Sequence, residues 1–469
     1  MRAVRPAVAL ALAIVALAGA TVAASRPPVR APGPPNVLLV VTDDQTVDTL
    51  PSTPPAMPWL QSQLADPASG WLRFTDAVVS TPMCCPSRAT ILTGLDALHT
   101  GVGGNTDGED LDPSQTLPVW LRGGGYHTGL VGKYLNGFPF GEPSVPPGWD
   151  RFLAKTNDAA STVYDGYGLV DQGSFRRVGS LPSDYSTDLL GGAAVEFLRT
   201  APTDRPWFLE WTPPAPHEPW IPAPRDAGAF AGLRLPAPST HVLNGAAGKP
   251  AWVRSLPRID AARLASLQHD RICERETLLD VDRWLEAIVG QIRARGEWDD
   301  TVVVFMSDNG YQFGEHRWVG KQAPYEGSLR VPLAIRSPWT GSAVVTDLVA
   351  NLDVAPTIAD LAGVAMPWRP DGVSLAPIVR GEAPSFGGQP PRWPGRYVPL
   401  LWDGSDAVPA WSGIRTATTV YVRDADGTQE LYDLRSDPNE LDNLAASRPR
   451  ETARFAALQA EVAPLRPAG

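Results

Sequence analysis

Short apolar runs recur along the chain, and each of them ends in polar or glycine-rich residues. Apolar runs bounded in this way are typical of strands that are buried on both faces, as in a largely parallel sheet. The pattern occurs in NVLLVVTDDQ (36–45), YHTGLVGKYLNG (126–137), PWFLEWTPPAPHEPW (206–220), TVVVFMSDNG (301–310) and VPLAIRSP (331–338). We therefore predict a strand of one sheet at each of these positions.

A second periodicity appears between these runs, most clearly in DVDRWLEAIVGQIRARG (280–296). Its apolar residues recur at three- and four-residue steps, which places them on one face of a helix. They are Val281, Trp284, Leu285, Ile288, Val289 and Ile292. Alternation of buried strands with amphipathic helices predicts an α/β fold with a large, mostly parallel central sheet flanked by helices.

The pattern changes after about residue 381. TATTVYVRDADGTQELYDL (416–434) predicts two strands around an Asp-Gly turn, and RETARFAALQAEVAPL (450–465) predicts a closing helix. We predict a main domain over residues 36–381 and a smaller C-terminal α+β subdomain, with antiparallel strands and a terminal helix, over residues 382–469.

The first residues have the layout of a secretory signal peptide. Two arginines precede an apolar run from Ala7 to Ala18, and small residues follow around Ala20 to Ala24. We predict a signal peptide over residues 1–24, a proline-rich lead-in over 25–35, and an exported mature chain without a membrane span; an uncleaved N-terminal anchor is the alternative.

Charge and cysteine content restrict the classes of function. The net charge is −11 and the sequence has no basic stripe, which argues against a nucleic-acid partner. An anionic substrate is still compatible with this charge, because a local cluster of cations and metal can reverse the field inside a pocket. Three cysteines are an odd number for an exported protein, and Cys273 fits the buried side of a helix, so no disulfide is required.

Polar clusters follow the predicted strands. In open α/β sheets ligands bind beyond the carboxyl ends of the strands, so these clusters can converge on one pocket. Asp43 and Asp44 follow one strand, and Asp308 and Asn309 follow another. Either pair alone fits a helix cap or a solvated turn, but together they predict a site for a hard divalent cation, Ca²⁺ with Mg²⁺ as the competitor.

Two adjacent cysteines and three further side chains complete the candidate site. Pro86 at the first helical position predicts a helix that ends near Gly94 and has Cys84 and Cys85 at its N-terminus. Two interpretations are open: a reactive thiol at a helix N-terminus or a buried structural pair. The remaining candidates follow strands and would face the same crevice, where they can bind an anion or transfer protons; they are Lys133, His217 and Lys321.

MCCPSRATILTG (83–94) resembles the signature of the sulfatase family, Cys-x-Pro-Ser-Arg followed by Leu-Thr-Gly. Further motifs stand in that family's order over nearly the whole mature chain: TDDQ, GKYLNG, PHEP, SDNGYQFGEH, YEGSLRVPL, LDVAPTIADLAG and ELYDLRSDPNELDNL. The resemblance implies an alkaline-phosphatase-like catalytic domain over residues 36–381 and an enzyme that hydrolyses sulfate esters.

The resemblance also implies the chemistry of the site. Cys84 would be converted to formylglycine by a formylglycine-generating enzyme before folding, and Cys85 would be a small filler. One hydroxyl of the hydrated aldehyde would attack sulfur, and the other would lose its proton and expel sulfate. By analogy, Ca²⁺ would be held by residue 84 together with Asp43, Asp44, Asp308 and Asn309. Arg88 would stabilise the hydrate, Lys133 and Lys321 would neutralise the sulfate, and His217 would assist proton transfer.

One position departs from many arylsulfatases, which have a histidine two residues after the lysine of GKYLNG. Leu135 stands there, and this motif together with PPGWD (146–150) is similar to N-acetylglucosamine-6-sulfatases. Asn136 is a candidate for a substitute hydrogen bond, and His316 is expected either to support a site residue from behind or to have a structural role. The predicted substrate is a 6-O-sulfated N-acetylglucosamine-like sugar or an aryl sulfate; the alternatives are a phosphoester or phosphonate hydrolase and a non-catalytic glycan-binding protein with an unmodified Cys84.

Overall fold

The predicted buried strands lie side by side in a ten-stranded sheet, and four further strands near the C-terminus form a separate sheet. The computed structural model describes residues 33–139, 145–158, 160–382 and 396–464. The predicted signal peptide and nearly all of the lead-in lie outside these ranges. The predicted boundary at residues 381/382 lies beside the gap at 383–395 and stays a prediction.

The strands in the described residues are β1 (Asn36–Thr42), β2 (Trp71–Val78), β3 (His127–Lys133), β4 (Arg151–Lys155), β5 (Gly168–Asp171), β6 (Ser174–Arg177), β7 (Trp207–Thr212), β8 (Thr301–Ser307), β9 (Gln312–Phe313), β10 (Val319–Gly320), β11 (Leu333–Arg336), β12 (Ala343–Ala350), β13 (Tyr397–Trp402), β14 (Trp411–Thr416), β15 (Thr419–Asp424) and β16 (Gln429–Asp433).

The α-helices in the same residues are α1 (Pro58–Ala65), α2 (Cys84–Thr93), α3 (Ala97–Thr100), α4 (Leu117–Gly123), α5 (Ser186–Thr200), α6 (Thr240–Asn244), α7 (Ala251–Ser255), α8 (Ala261–Ala294), α9 (Glu326–Leu329), α10 (Val354–Ala362), α11 (Ala376–Val379) and α12 (Pro449–Val462).

The large sheet has the strand order β12-β2-β11-β8-β1-β7-β3-β4-β5-β6. β8, β1, β7, β3 and β4 pair in parallel, as do β2 and β12. β11 is antiparallel to both of its neighbours, and so is β5. The predicted large, mostly parallel sheet is therefore confirmed, and the strand predicted at 331–338 is present but runs against the others.

Helices cover both faces of this sheet, as predicted. Successive side chains of a strand point to opposite faces, so β1 contributes to two cores. Leu39 packs in one core with Ile91 of α2, and Leu38 packs in the other core with Leu285 of α8. The helix predicted at 280–296 is the second half of α8, a 34-residue helix that begins where the Asp260 side chain accepts a hydrogen bond from the Arg263 backbone N–H.

The smaller sheet is an antiparallel meander of β13 to β16, and α12 packs on it through Phe455. This confirms the predicted strands around an Asp-Gly turn and the closing helix. Several hydrogen bonds join the smaller sheet to the main fold; for example, Leu401 N donates to the Ser80 carbonyl (2.9 Å), and Trp411 Nε1 donates to the Gln322 carbonyl (2.7 Å). Among the described helices, none combines the length and the apolar character needed to cross a membrane.

β3 reaches the polar edge of the sheet through a glycine that has no room for a side chain. Gly132 has a φ of +135°, and a Cβ atom there would lie 2.1 Å from the Thr212 carbonyl oxygen of β7. Thr212 in turn donates a hydrogen bond from Oγ1 to the Lys133 carbonyl (2.7 Å). The close approach of β3 to β7 therefore fixes the backbone that carries Lys133.

Gly132→Ala is expected to lower the free energy of unfolding by roughly 2–4 kcal/mol, because the new methyl group meets a backbone oxygen and the left-handed conformation is strained. Urea unfolding followed by circular dichroism measures the change. Gly123→Ala in α4 is the matched control, because a Cβ there meets nothing within 4 Å. Equal stability of the two variants would contradict the account of this strand contact.

Candidate active site

The nine residues predicted for the site come together at one edge of the large sheet. Six local elements carry them: the turn after β1, the first half of α2, the end of β3, the loop after β7, the turn after β8 and the segment after β10. In chain order they are Asp43, Asp44, Cys84, Arg88, Lys133, His217, Asp308, Asn309 and Lys321.

The pairing of β1 with β8 sets the carboxylates side by side. The two strands are parallel and in register up to Thr42 and Ser307, so Asp43 and Asp308 are the next residues on each. Asp44 turns away with a φ of 65°, and its backbone N–H donates to Asp308 Oδ1 (3.1 Å). The strand ends therefore present their side chains to one small volume.

Cys84 is the first residue of α2, which ends at the left-handed Gly94. Pro86 is consequently the third helical residue and not the first, because the helix begins two residues earlier than predicted. The buried Sγ atom donates to Asp43 Oδ1 (3.4 Å) and accepts from Lys321 Nζ (2.8 Å). Burial raises the pKa of this thiol far more than Lys133 and Lys321 lower it, so the structure gives no support for a low-pKa nucleophilic thiolate.

Each carboxylate of the site has at least one cation in contact with it. Lys133 Nζ donates to Asp43 Oδ2 (2.5 Å), Lys321 Nζ donates to Asp44 Oδ1 (2.6 Å), and Arg88 Nε donates to Asp308 Oδ2 (2.9 Å). Burial alone would raise the pKa of Asp43, but the neighbouring cations, Lys133 foremost, hold it well below its ordinary value.

For Asp44 and Asp308, too, burial raises the pKa and neighbouring cations lower it, but the net shifts have opposite directions. Burial is again offset for Asp44, whose pKa is lowered chiefly by Lys321. Burial and the nearby Asp43 raise the pKa of Asp308 in spite of Arg88. The cluster thus packs negative groups closely enough that they repel one another even among three cations.

His217 is the most open of the candidate side chains, with 24% of its side chain exposed. Its Nδ1 lies 2.7 Å from the Glu218 carbonyl oxygen, which can only accept, so Nδ1 carries a proton. Nε2 therefore faces the cluster, 3.5 Å from Asp44 Oδ2. This orientation leaves one ring nitrogen available to a group that enters from solvent.

The residues present fit a hard divalent cation. Asn309 Oδ1 is buried and has no hydrogen-bond partner among the described residues, although its Nδ2 donates to Asp44 Oδ1 (2.7 Å). Ligand atoms of Asp43, Asp44, Cys84 and His217 all lie within 4.8 Å of one another. Carboxylate and amide oxygens are the donors that Ca²⁺ and Mg²⁺ prefer. Asp308 is outside that tight group, and both of its oxygens already accept hydrogen bonds.

Three further residues from the sequence do not enter the cluster. The Asn136 side chain accepts from Asn157 Nδ2 (2.7 Å), and its backbone carbonyl accepts from Cys85 Sγ (3.1 Å). His316 is buried against the Tyr325 ring, with centroids 4.3 Å apart. Asn136 thus holds a loop and Cys85 fills space beside it, and the structural role expected for His316 agrees with its packing.

The third cysteine is less buried than predicted. Cys273 is partly exposed on α8, beside the core that contains Trp220 and Leu267. That core is a small satellite of the sheet, so α8 covers this side chain only in part. All three cysteines are free thiols, as the odd number suggested.

The sequence interpretation missed a buried cation at the same edge. Lys155 ends β4 and is the register partner of Lys133 on β3. Its signal is a lysine directly after an apolar strand, which is the same signal that singled out Lys133. Because β4 was not among the predicted strands, Lys155 was not recognised as a residue at a strand end.

Comparison with family models and with curated relatives identifies similar proteins. Residues 35–364 match the family model described as Sulfatase, and residues 314–466 match the model described as N-sulphoglucosamine sulphohydrolase, C-terminal. The N-acetylglucosamine-6-sulfatase of Capra hircus is 30% identical over 459 residues, which cover 88% of this chain and 80% of that protein.

Solved structures share the fold. One is a protein in complex with its substrate D-glucosamine-2-N,6-O-disulfate, with a TM-score of 0.77 and 24% identity over 91% of this chain and 97% of that chain. Another is the phosphonate monoester hydrolase of Agrobacterium radiobacter, with a TM-score of 0.70 and 23% identity over 91% of this chain and 95% of that chain. At these identities the two structures support the assignment of the fold only.

Ca²⁺ is expected to stabilise the folded chain by about 3 kcal/mol at a concentration 100-fold above its Kd, because the unfolded chain lacks the assembled oxygen ligands. Asn309→Ala removes the unpartnered amide oxygen and should reduce this stabilisation. Thermal unfolding with chelator, with Ca²⁺ and with Mg²⁺ measures the difference.

Asp299→Asn is the control for this experiment, because Asp299 is an exposed carboxylate just ahead of β8. It should leave the effect of the cation unchanged. A cation-dependent rise of the same size in Asn309→Ala and in the wild type would show that Asn309 is not a ligand.

Proposed function

The chain belongs to the sulfatase family of sulfuric ester hydrolases, and we propose that it removes the sulfate of a sugar similar to 6-O-sulfated N-acetylglucosamine. The observation that carries the proposal is the place of Cys84. Its Sγ atom lies at the start of α2 in contact with the Asp43 and Asp44 carboxylates and with the Lys321 ammonium, an arrangement that supports the binding of an anion beside a cation. In this proposal Cys84 is the precursor of formylglycine, and the resident cation is Ca²⁺, with Mg²⁺ as the alternative.

The burial of Cys84 decides when its modification must occur. The side chain has no exposed surface in the folded protein, so a formylglycine-generating enzyme has to reach it before the fold closes. Hydrated formylglycine supplies two hydroxyls on one carbon, one to attack sulfur and one whose deprotonation expels sulfate and restores the aldehyde. A serine or cysteine in the same place has no second hydroxyl to complete the cycle.

The cation site would be made by the carboxylates and the amide already described. Asp43, Asp44 and Asn309 supply oxygens directed into the pocket, and Asp308 completes the set if a cation displaces its present hydrogen bonds. When bound, the cation supplies Lewis-acidic charge against the sulfate oxygens. This assignment is supported by the all-oxygen donor set and by the partnerless Asn309 Oδ1.

Three cations of the chain neutralise and orient the sulfate. Lys321 Nζ lies 2.8 Å from the Cys84 Sγ position and can donate to a sulfate oxygen there. Lys133 Nζ is held on the opposite side by Asp43. Arg88 is fixed by Asp308 and by the Lys133 carbonyl (3.1 Å), so its guanidinium is preorganised beside residue 84 to stabilise the hydroxyls. Preorganised charge of this kind needs no rearrangement during the reaction.

His217 is the residue placed to transfer a proton at the leaving oxygen. Its Nδ1 is tied to the Glu218 carbonyl, so the proton moves at Nε2, on the side that faces both the cluster and solvent. The exposed side of the ring is where the alcohol of the ester would extend. A sugar alkoxide is a poor leaving group, so protonation of its oxygen lowers the barrier.

Relatives and one structural neighbour favour a 6-O-sulfated glucosamine as the substrate. The Capra hircus relative is named for N-acetylglucosamine 6-sulfate, and one neighbour holds a 6-O-sulfated glucosamine. Aryl sulfates are a further expected substrate. The fold shared with a phosphonate monoester hydrolase favours phosphoester or phosphonate hydrolysis as the second candidate, because tetrahedral anions fit the same charges.

The place of action in this proposal is outside the cell. The sequence pattern at residues 1–24 supports export through a signal peptide, and two relatives are named extracellular sulfatases. A sulfated carbohydrate is then the partner of the folded protein, and the modifying enzyme is the partner of the unfolded chain.

Active protein is expected to carry formylglycine at residue 84, and Cys84→Ala is expected to lower kcat/KM on 4-nitrophenyl sulfate by at least about 10⁴-fold, because the nucleophile is lost. Trypsin should release Phe74 to Arg88 as one peptide. Its fragment masses distinguish an aldehyde at residue 84 from a thiol, and within this peptide only Cys85 should react with iodoacetamide.

Cys85→Ala is the control, because Cys85 lies outside the carboxylate cluster and Ala also fills little space; it should keep most of the activity. Turnover is compared on 4-nitrophenyl sulfate and 4-nitrophenyl phosphate. Faster phosphate turnover would favour the second candidate, and an active protein with an unmodified Cys84 would overturn the proposed nucleophile.

His217→Gln is expected to slow hydrolysis of N-acetylglucosamine 6-sulfate by about 10²–10⁴-fold, since general acid catalysis is lost. The loss on 4-nitrophenyl sulfate should be much smaller, because its leaving group departs without a proton. The ratio of kcat values on the two esters is the measurement. His241→Gln on the exposed side of α6 is the control, and equal losses on both esters would assign His217 a different role.

A further inference from the structure

A cavity of about 530 Å³ opens beside the candidate active site and has no part in the mechanism above. One wall follows Lys133 and contains Leu135 and Gly137. A second wall follows Lys155 and contains Thr156, Asn157 and Asp158, whose carboxylate pairs with Arg177; β6 contributes Phe175 and Arg177. A volume of this size is within the range of ligand-binding pockets and can hold a sugar.

The cavity shares its supporting strands with the active site. β3 and β4 are parallel neighbours, and Lys133 and Lys155 are register partners at their ends. The two walls are joined by the hydrogen bond from Asn157 Nδ2 to Asn136 Oδ1 (2.7 Å). A ligand anchored at residue 84 would therefore reach the cavity by extending along one edge of the sheet.

A positive charge stands directly behind the cavity wall. Lys155 is only 3% exposed, and its Nζ donates to the Thr156 carbonyl (3.2 Å) and to Asn157 Oδ1 (3.3 Å). Across the described ranges, no carboxylate lies within ion-pair distance of this ammonium. Burial and the neighbouring Lys133 lower the pKa of Lys155 to about 8. A buried charge without a counter-ion is costly, and an anion in the cavity would relieve that cost.

The rim adds a second cation and an apolar ring. The Arg177 guanidinium is partly exposed; it pairs with Asp158 (3.0 Å) and lies 5.4 Å from the centre of the Phe175 ring. Phe175 is 55% exposed, so its ring is accessible to a ligand at the mouth of the cavity. An aromatic face beside charged and amide groups suits a sugar that carries an anionic substituent.

We propose that this cavity is a second anion subsite, which binds a carboxylate or sulfate group on the sulfated sugar or on the sugar next to it. The inference rests on the proposed function, because it assumes that the scissile sulfate lies at residue 84. Lys155 supplies the charge behind the wall, Arg177 supplies a movable cation at the rim, and Phe175 contacts the sugar ring. The preferred substrates are then glycans with at least two anionic groups.

Arg177→Gln tests this inference at an exposed position that does not endanger folding. The substrates are N-acetylglucosamine 6-sulfate, glucosamine carrying both N-sulfate and 6-O-sulfate, and a disaccharide of a uronate with 6-O-sulfated N-acetylglucosamine. The ratio of kcat/KM for each doubly anionic sugar to kcat/KM for the monosulfated sugar should fall by about tenfold or more, since a charge-assisted contact is lost. A fall with the disulfate alone, or with the uronate alone, identifies which group occupies the cavity.

Arg176→Gln is the matched control, because Arg176 is the adjacent exposed residue of β6 and does not line the cavity. It should leave the ratio unchanged. Lys155→Met, which keeps the length of the side chain and removes its charge, should lower the ratio as well. Equal loss on all three sugars in Arg177→Gln, or no loss on any of them, would overturn the second subsite.

A binding experiment separates this inference from the proposed function. Calorimetric titration of the Cys84→Ala protein with the same sugars requires no hydrolysis. Tighter binding of a doubly anionic sugar that is weakened by Arg177→Gln supports the subsite even if no sugar is hydrolysed by the wild type. Equal affinity for all three sugars contradicts the subsite even if the wild type is an active sulfatase.

Discussion

Mutual repulsion among three buried carboxylates is the constraint on which the site depends. The register of β1 against β8 forces Asp43 and Asp308 together, and Asp44 adds a third charge in the same volume. Such a group is stable only if cations arrive from elsewhere in the chain. Three cations do so: Arg88 of α2, Lys133 at the end of β3 and Lys321 after β10. Each of them contacts a different carboxylate.

The sequence predicted those parts of the fold that depend on local pattern. A strand buried on both faces has a continuous apolar run, so β1, β3, β7, β8 and β11 were visible. The order of the strands and the antiparallel direction of β11 could not be predicted from these runs. Both depend on which strands pair in the folded protein, and a single apolar run does not show its partner. The start of α2 was placed two residues late, because Pro86 is tolerated anywhere in the first turn of a helix.

The site residues could be chosen from the sequence because the carboxyl ends of parallel strands meet at one edge. The same rule would have found Lys155 had β4 been predicted; its five residues are too few to stand out from a loop. Burial of individual side chains was harder to foresee. His316 and His217 both lie in polar motifs, and only the packing of His316 against Tyr325 separates a structural histidine from one that faces the cluster.

The contact between Lys321 and Cys84 joins residues 237 positions apart in the chain. During synthesis at about 5–20 residues per second, on the order of tens of seconds pass between the emergence of Cys84 and that of the segment that buries it. The smaller sheet, whose Trp411 holds the carbonyl next to Lys321, emerges later still. The length of the chain between Cys84 and Lys321 therefore sets how long Cys84 stays uncovered during synthesis, and the hydrogen bond from Trp411 can fix the covering segment only afterwards.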